Sequence, residues 1–151
     1  MIPFFLTLAL VATPVAADAA PVEHYTTLPH VGGGDHTFTE FGGKDGLTAL
    51  MDDAMNRWLV NPRTRPYFEH ADQTRIKHLL VQQFCVVLNG PCTYEGRSMA
   101  QSHRGLQVTE GAFYALVEEL QIAMNQRHIP FPAQNRLLAA LAPMHKDVVT
   151  K

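Results

Sequence analysis

Residues 96–109 read GRSMAQSHRGLQVT. His103 stands one helical turn after the apolar Met99, with a glycine two positions further on. The run is too short to pack as a full helix, and it separates two long amphipathic segments. An imidazole placed there is either a partly buried or surface side chain, or a ligand facing whatever the flanking segments enclose.

The flanking segments set the fold class. Leu47, Leu50, Met51, Met55, Trp58 and Leu59 recur at three- and four-residue spacings, which predicts a helix from about 44 to the Asn61-Pro62 stop. Ile76, Leu79, Leu80, Phe84 and Val87 repeat that period over 72–88, and Asn89-Gly90-Pro91 ends it. A short helix is expected around 98–104. Thr109 suits the cap of the next helix, whose apolar face is Phe113, Leu116, Val117, Leu120 and Met124. Pro130 and Pro132 break that helix and begin a last one, with Leu137, Leu138, Leu141 and Met144 on its apolar face. No four-residue alternation bounded by turns survives, so the class is all-α with at least four helices.

The N-terminus is of another kind. Residues 1–17, MIPFFLTLALVATPVAA, carry no charge, and small residues follow. The run is short for a membrane span and suits a secretory signal peptide over 1–19, although no Lys or Arg precedes it. Its removal would leave no membrane segment, and the periplasm is the expected compartment of the exported chain. Residues 20–37 read as a flexible linker, with Pro21, Pro29, the Gly32-Gly33-Gly34 triplet and no apolar period. The domain proper is then 38–151.

Composition excludes several classes. Twelve Lys and Arg stand against fourteen Asp and Glu, so no nucleic-acid footprint is present. There is no phosphate loop, no His-Glu-x-x-His and no Gly-x-Ser-x-Gly. Ser102 and His103 are neighbours in sequence, but adjacent helical side chains point apart and make a poor nucleophile–base pair. Two long apolar faces with a short helix between them can enclose a flat apolar ligand, and a neutral imidazole facing it is a good iron ligand.

The stretch from Phe38 to Val149 resembles the truncated globins, in particular their first group. Phe41-Gly42-Gly43 is similar to the family's first glycine motif. Asp52-Asp53 and RWLVNP at 57–62 resemble its second helix and exit, and Tyr67-Phe68 its aromatic pair at the haem. Asn89-Gly90-Pro91, Tyr94 and Gly96 resemble the second glycine region, where the family usually has Gly in place of Asn89. Met99 and His103 resemble the haem-contacting Met and the iron-ligating His. Ile129-Pro130 and Ala142-Pro143 bracket the last helix region.

The resemblance implies a globin-like, two-on-two helical sandwich around one haem b, with His103 as the metal ligand. It places Phe68 and Tyr67 against the porphyrin. Lys77 and Tyr94 become candidates for the propionates, against the plainer readings of a solvated charge and a turn aromatic. Met99, Val108, Phe113, Leu116 and Leu141 would line the pocket, and Phe84 sits where a gating aromatic is expected. On the distal side the family often carries Tyr and Gln or His. Here the matching positions are Met55, Ile76 and Leu80, with Leu79 where some members have a ligating His or Lys. The distal pocket is therefore expected to be apolar. Gln82 or Gln83 could restore polarity, and Met55 or His78 could serve as an internal sixth ligand.

Cys85 and Cys92 flank the helix stop, which can bring their Cα atoms within the roughly 4.4–6.8 Å a disulfide needs. Export would favour the bridge; two buried free thiols are the alternative. No Cys-x-x-Cys-His is present for covalent c-type attachment. The implied function is reversible binding of a diatomic gas (O2, NO or CO). The alternative is haem redox chemistry, either dioxygenase- or peroxidase-like or electron transfer. Any reductase would be a separate partner, because the chain has no flavin or nicotinamide segment.

Overall fold

The structure is a computed structural model that describes residues 27–34 and 36–151. The expected signal peptide, and the linker up to residue 26, lie outside the described residues. Seven α-helices are present among the described residues: α1 (His36–Glu40), α2 (Gly43–Val60), α3 (Gln73–Val87), α4 (Met99–His103), α5 (Glu110–Gln126), α6 (Phe131–Leu141) and α7 (His145–Val148). Two 3-10 turns, Arg65–Tyr67 and Ala142–Met144, complete them.

The helix ends follow local chemistry. Gly42 starts α2 from a left-handed conformation, φ 77°, which glycine adopts without steric cost. The Asp72 carboxylate accepts from Arg75 N at 3.0 Å and caps α3, and Thr109 Oγ1 accepts from Ala112 N at 3.1 Å and caps α5. Asn61 leaves α2 in extended geometry ahead of Pro62. Asn89 ends α3 at φ 61°. The last helix is shorter than its periodicity predicts. Pro143 lies inside the 3-10 turn, and Met144 faces the core from that turn rather than from α6.

Leu47, Leu50, Met51, Met55 and Trp58 are buried along one face of α2. Each such side chain withdrawn from water contributes about 1.5–3 kcal/mol. That face packs on α3 and α5, while α6 packs on α3 and α5 from the other side. The result is one helix pair, α2 and α3, set against a second, α5 and α6. The short α4 rests on α7.

The described part of the expected linker packs against the helical domain. Leu28 and Val31 are buried in the core, although glycines follow them. Val31 N donates to Val87 O at 2.9 Å, and Asn89 Nδ2 donates to Val31 O at 2.9 Å and to Gly34 O at 2.8 Å. Two apolar side chains three residues apart are enough to strap the segment across the end of α3. Periodicity did not reveal them, because the segment is extended rather than helical.

Cys85 and Cys92 form a disulfide with Cα atoms 5.9 Å apart. It joins the last turns of α3 to the loop that leads to α4. Gly90 sits against it: an added Cβ would lie 2.6 Å from the Phe38 ring and 2.7 Å from Cys85 Sγ.

Candidate functional site

The site is built around α4. Five residues make a helix with little stability of its own. A capping box holds its start: Ser98 Oγ accepts from Gln101 N at 3.2 Å, and the Gln101 side chain accepts from Ser98 N at 3.4 Å. Met99 is the one buried residue of the helix. His103 ends it, half-buried. With its Nδ1 carrying the hydrogen, the ring donates to Met99 O at 2.8 Å. That tautomer leaves the Nε2 lone pair open to an electrophile.

The apolar candidates fall into two groups. Met55 and Phe84 are core residues, and Met99 and Val108 are also buried. Ile76, Leu80, Phe113, Leu116 and Leu141 are only half-buried, and four of these five pack against the core from its edge. Three helices thus leave apolar surface incompletely covered, room for apolar contact with a ligand.

Cross-links frame this region. Gln83 Nε2 of α3 reaches Met99 Sδ of α4 at 3.7 Å and Met144 Sδ at 3.4 Å. Phe113 of α5 meets the His145 ring of α7 edge-on, with centroids 4.7 Å apart. Tyr67 Oη donates to Gln107 O at 3.4 Å, which brings the 3-10 turn to the loop after His103. Phe68 stacks on Trp58. Val108 is tied to the C-terminus, its N–H donating to Thr150 Oγ1 and its carbonyl accepting from Thr150 N and Lys151 N.

The two propionate candidates have protein partners of their own. Lys77 Nζ donates to Asp52 Oδ1 at 2.6 Å, and Tyr94 Oη donates to Arg97 O at 2.9 Å. Of the two neighbouring glutamines, Gln83 points inward and is 3 % exposed, whereas Gln82 stays outside, bonded to Glu95 and within 3.1 Å of His78 Nε2. His78 is exposed. Sequence reasoning missed Met144 and His145 as neighbours of the site. Their one signal was the Ala142-Pro143 stop, which folds the chain back onto α4.

The model of the bacterial-like globin family matches residues 36–150. This chain is a bacterial-like globin.

The group 1 truncated haemoglobin GlbN of Mycolicibacterium paratuberculosis is 26% identical over 113 residues, covering 75% of this chain and 83% of that protein. The group 1 truncated haemoglobin of Tetrahymena thermophila is 27% identical over 92 residues, 59% of this chain and 74% of that one. Among solved structures, the Fe(III) form of the Tetrahymena pyriformis truncated haemoglobin superposes with a TM-score of 0.72 at 20% identity, over 76% of this chain and 98% of that chain. The 2/2 haemoglobin of Synechococcus sp. PCC 7002, solved in the cyanomet state with covalently attached haem, gives 0.70 at 16% identity, over 76% and 98%. These likenesses fix the two-on-two helical sandwich that the resemblance implied.

The cofactor of this globin family is haem b with one iron. The residues present fit it: His103 bonds through Nδ1 and keeps Nε2 without a hydrogen-bond partner, and α3, α5 and α6 carry half-buried apolar side chains. Among the described residues no cluster of three or more His, Cys, Asp or Glu offers a competing metal site. No helix among them is long and apolar enough to cross a membrane.

Proposed function

We propose that this globin holds one haem b through His103 and reversibly binds a diatomic gas at the opposite face. The observation that carries the reading is the His103 ring. The Met99 carbonyl anchors its Nδ1 side at 2.8 Å and leaves Nε2 for the iron. When bound, haem b would supply an iron able to take up O2, NO or CO. The chain's own residues supply the surroundings. Ile76 and Leu80 give that face an apolar lining, and Phe68, Phe113, Leu116 and Leu141 offer apolar contact to the porphyrin. Met55 belongs to the core and fills space rather than reaching out as a ligand. His78 is turned to solvent beside Gln82, which speaks against an internal sixth ligand from α3. Gas binding is therefore favoured over electron transfer. A dioxygenase or peroxidase role would need a separate reductase.

The test is the ultraviolet–visible spectrum of the purified chain, ferric and ferrous, beside His103→Ala. The expected result is a Soret band that His103→Ala weakens or abolishes, with a five-coordinate ferrous spectrum. A Soret band indifferent to the substitution would remove His103 from the iron. Sharp six-coordinate ferrous bands would favour the redox alternative.

A further inference from the structure

We infer that Gln83 is a positioning residue for His103, acting through Met99; the inference rests on the haem reading above. Ile76, Leu80 and Gln83 stand at i, i+4 and i+7 on α3, one stripe of the helix. The first two are apolar and half-buried, and the third is a primary amide, buried. Its nitrogen meets two thioether sulfurs, Met99 Sδ and Met144 Sδ. Thioethers are weak acceptors, so a buried amide satisfied only by them gains little over an apolar side chain of the same shape. Fold stability alone gives no reason for the glutamine.

What the amide adds is direction. Met99 is the sole buried anchor of a five-residue helix, and a methionine side chain slides easily among rotamers. An N–H directed at its sulfur selects one of them. The carbonyl of that same Met99 accepts from His103 Nδ1. Two contacts therefore run from α3 to the imidazole: Gln83 Nε2 to Met99 Sδ, then Met99 O to His103 Nδ1. The second N–H contact ties in Met144, the residue before His145, whose ring packs on Phe113. The helix facing the gas thus holds the helix facing away from it.

The experiment is a double-mutant cycle on the full haem-loaded chain with Gln83→Leu, Met99→Leu and the pair. One readout is the ferrous iron–histidine stretching band in resonance Raman spectra. The other is the rate at which hemin passes to excess apomyoglobin. Gln83→Leu should shift and broaden the band and speed hemin loss by roughly two- to tenfold, the range of one modest hydrogen bond. Adding Gln83→Leu to Met99→Leu should change little more, because both act on one link. If Gln83→Leu fails to fold, Gln83→Met fills the same space and should give the same shift. A Gln83 variant with the wild-type band and rate overturns the inference, and so do two effects that simply add. A wild-type chain that takes up no hemin would instead overturn the haem reading, and this inference with it.

Discussion

Trp58 and Phe68 stack with ring centroids 5.2 Å apart and planes 17° from parallel, while Trp58 Nε1 donates to Leu116 O at 3.1 Å. One side chain thereby joins α2, the aromatic turn and α5. Phe68, which the family resemblance set against the porphyrin, is held in place from behind by this stack. Trp58→Phe keeps a ring for the stack and loses the indole hydrogen bond, and should cost about 1–2 kcal/mol. Phe68→Ala removes the stack and a half-buried ring and should cost about 2–3 kcal/mol. Urea unfolding of both variants checks the order; a Trp58→Phe protein less stable than Phe68→Ala would contradict it.

The disulfide closes a short loop, with Cys85 and Cys92 seven residues apart in sequence. Loop-closure entropy for so few residues is small, and the Cys85→Ala, Cys92→Ala protein should lose about 2–3 kcal/mol. Reduction of the wild-type chain should lower the urea midpoint by a comparable amount. An unchanged midpoint with dithiothreitol, once free thiols are titrated, would show that the bridge adds nothing.

The proposed placement of Ile76 and Leu80 beside the gas predicts ligand kinetics. Ile76 and Leu80 offer no hydrogen to a bound gas, so oxygen should leave quickly while CO and NO are held normally. Leu80→Gln places a donor on that stripe and should slow oxygen dissociation by roughly tenfold, about 1.4 kcal/mol of hydrogen bonding. Stopped-flow displacement of oxygen by CO measures it. Slow dissociation in the wild-type chain would contradict the apolar distal site.

Asn89 stands at φ 61° and donates to two carbonyls of the strap. Asn89→Ala combines left-handed strain with two lost hydrogen bonds and should cost about 2–4 kcal/mol. Asn89→Gly, the residue usual in the family, removes the strain but still frees the strap. It should fall between the two, with faster amide exchange at Val31. Equal stability of the Gly and Ala variants would remove backbone strain from the account.

How far the sequence spoke depended on the kind of order each element uses. α2, α3, α5 and α6 bury faces at helical spacing, so Leu47 to Trp58 and Ile76 to Val87 were readable as helices. The short α4 was expected around 98–104 from its place between two stops, but its role at a haem was readable only because His103 and Met99 matched a family pattern. Leu28 and Val31 were hidden by glycines and an extended backbone. Pairings such as Gln83 with Met144, or His145 with Phe113, join residues dozens of positions apart and leave no local trace. The choice between Gln82 and Gln83 hung on one residue of helix rotation, about 100°, finer than a pattern of apolar residues resolves.

The strap, the disulfide and the Asn89 bonds all grip the same end of α3. Its other end is held by Gln73 Nε2, which donates to Phe68 O at 3.3 Å, and by the half-exposed Lys77–Asp52 pair. The Val87–Cys92 end of α3 is thus fastened by a covalent bridge and backbone bonds, and the Gln73–Lys77 end by two side-chain contacts. Fraying of α3 should therefore begin at its Gln73 end, and amide exchange along the helix should slow toward Val87. A salt that screens Lys77 from Asp52 should hasten exchange at that end and leave the Val87 end unchanged.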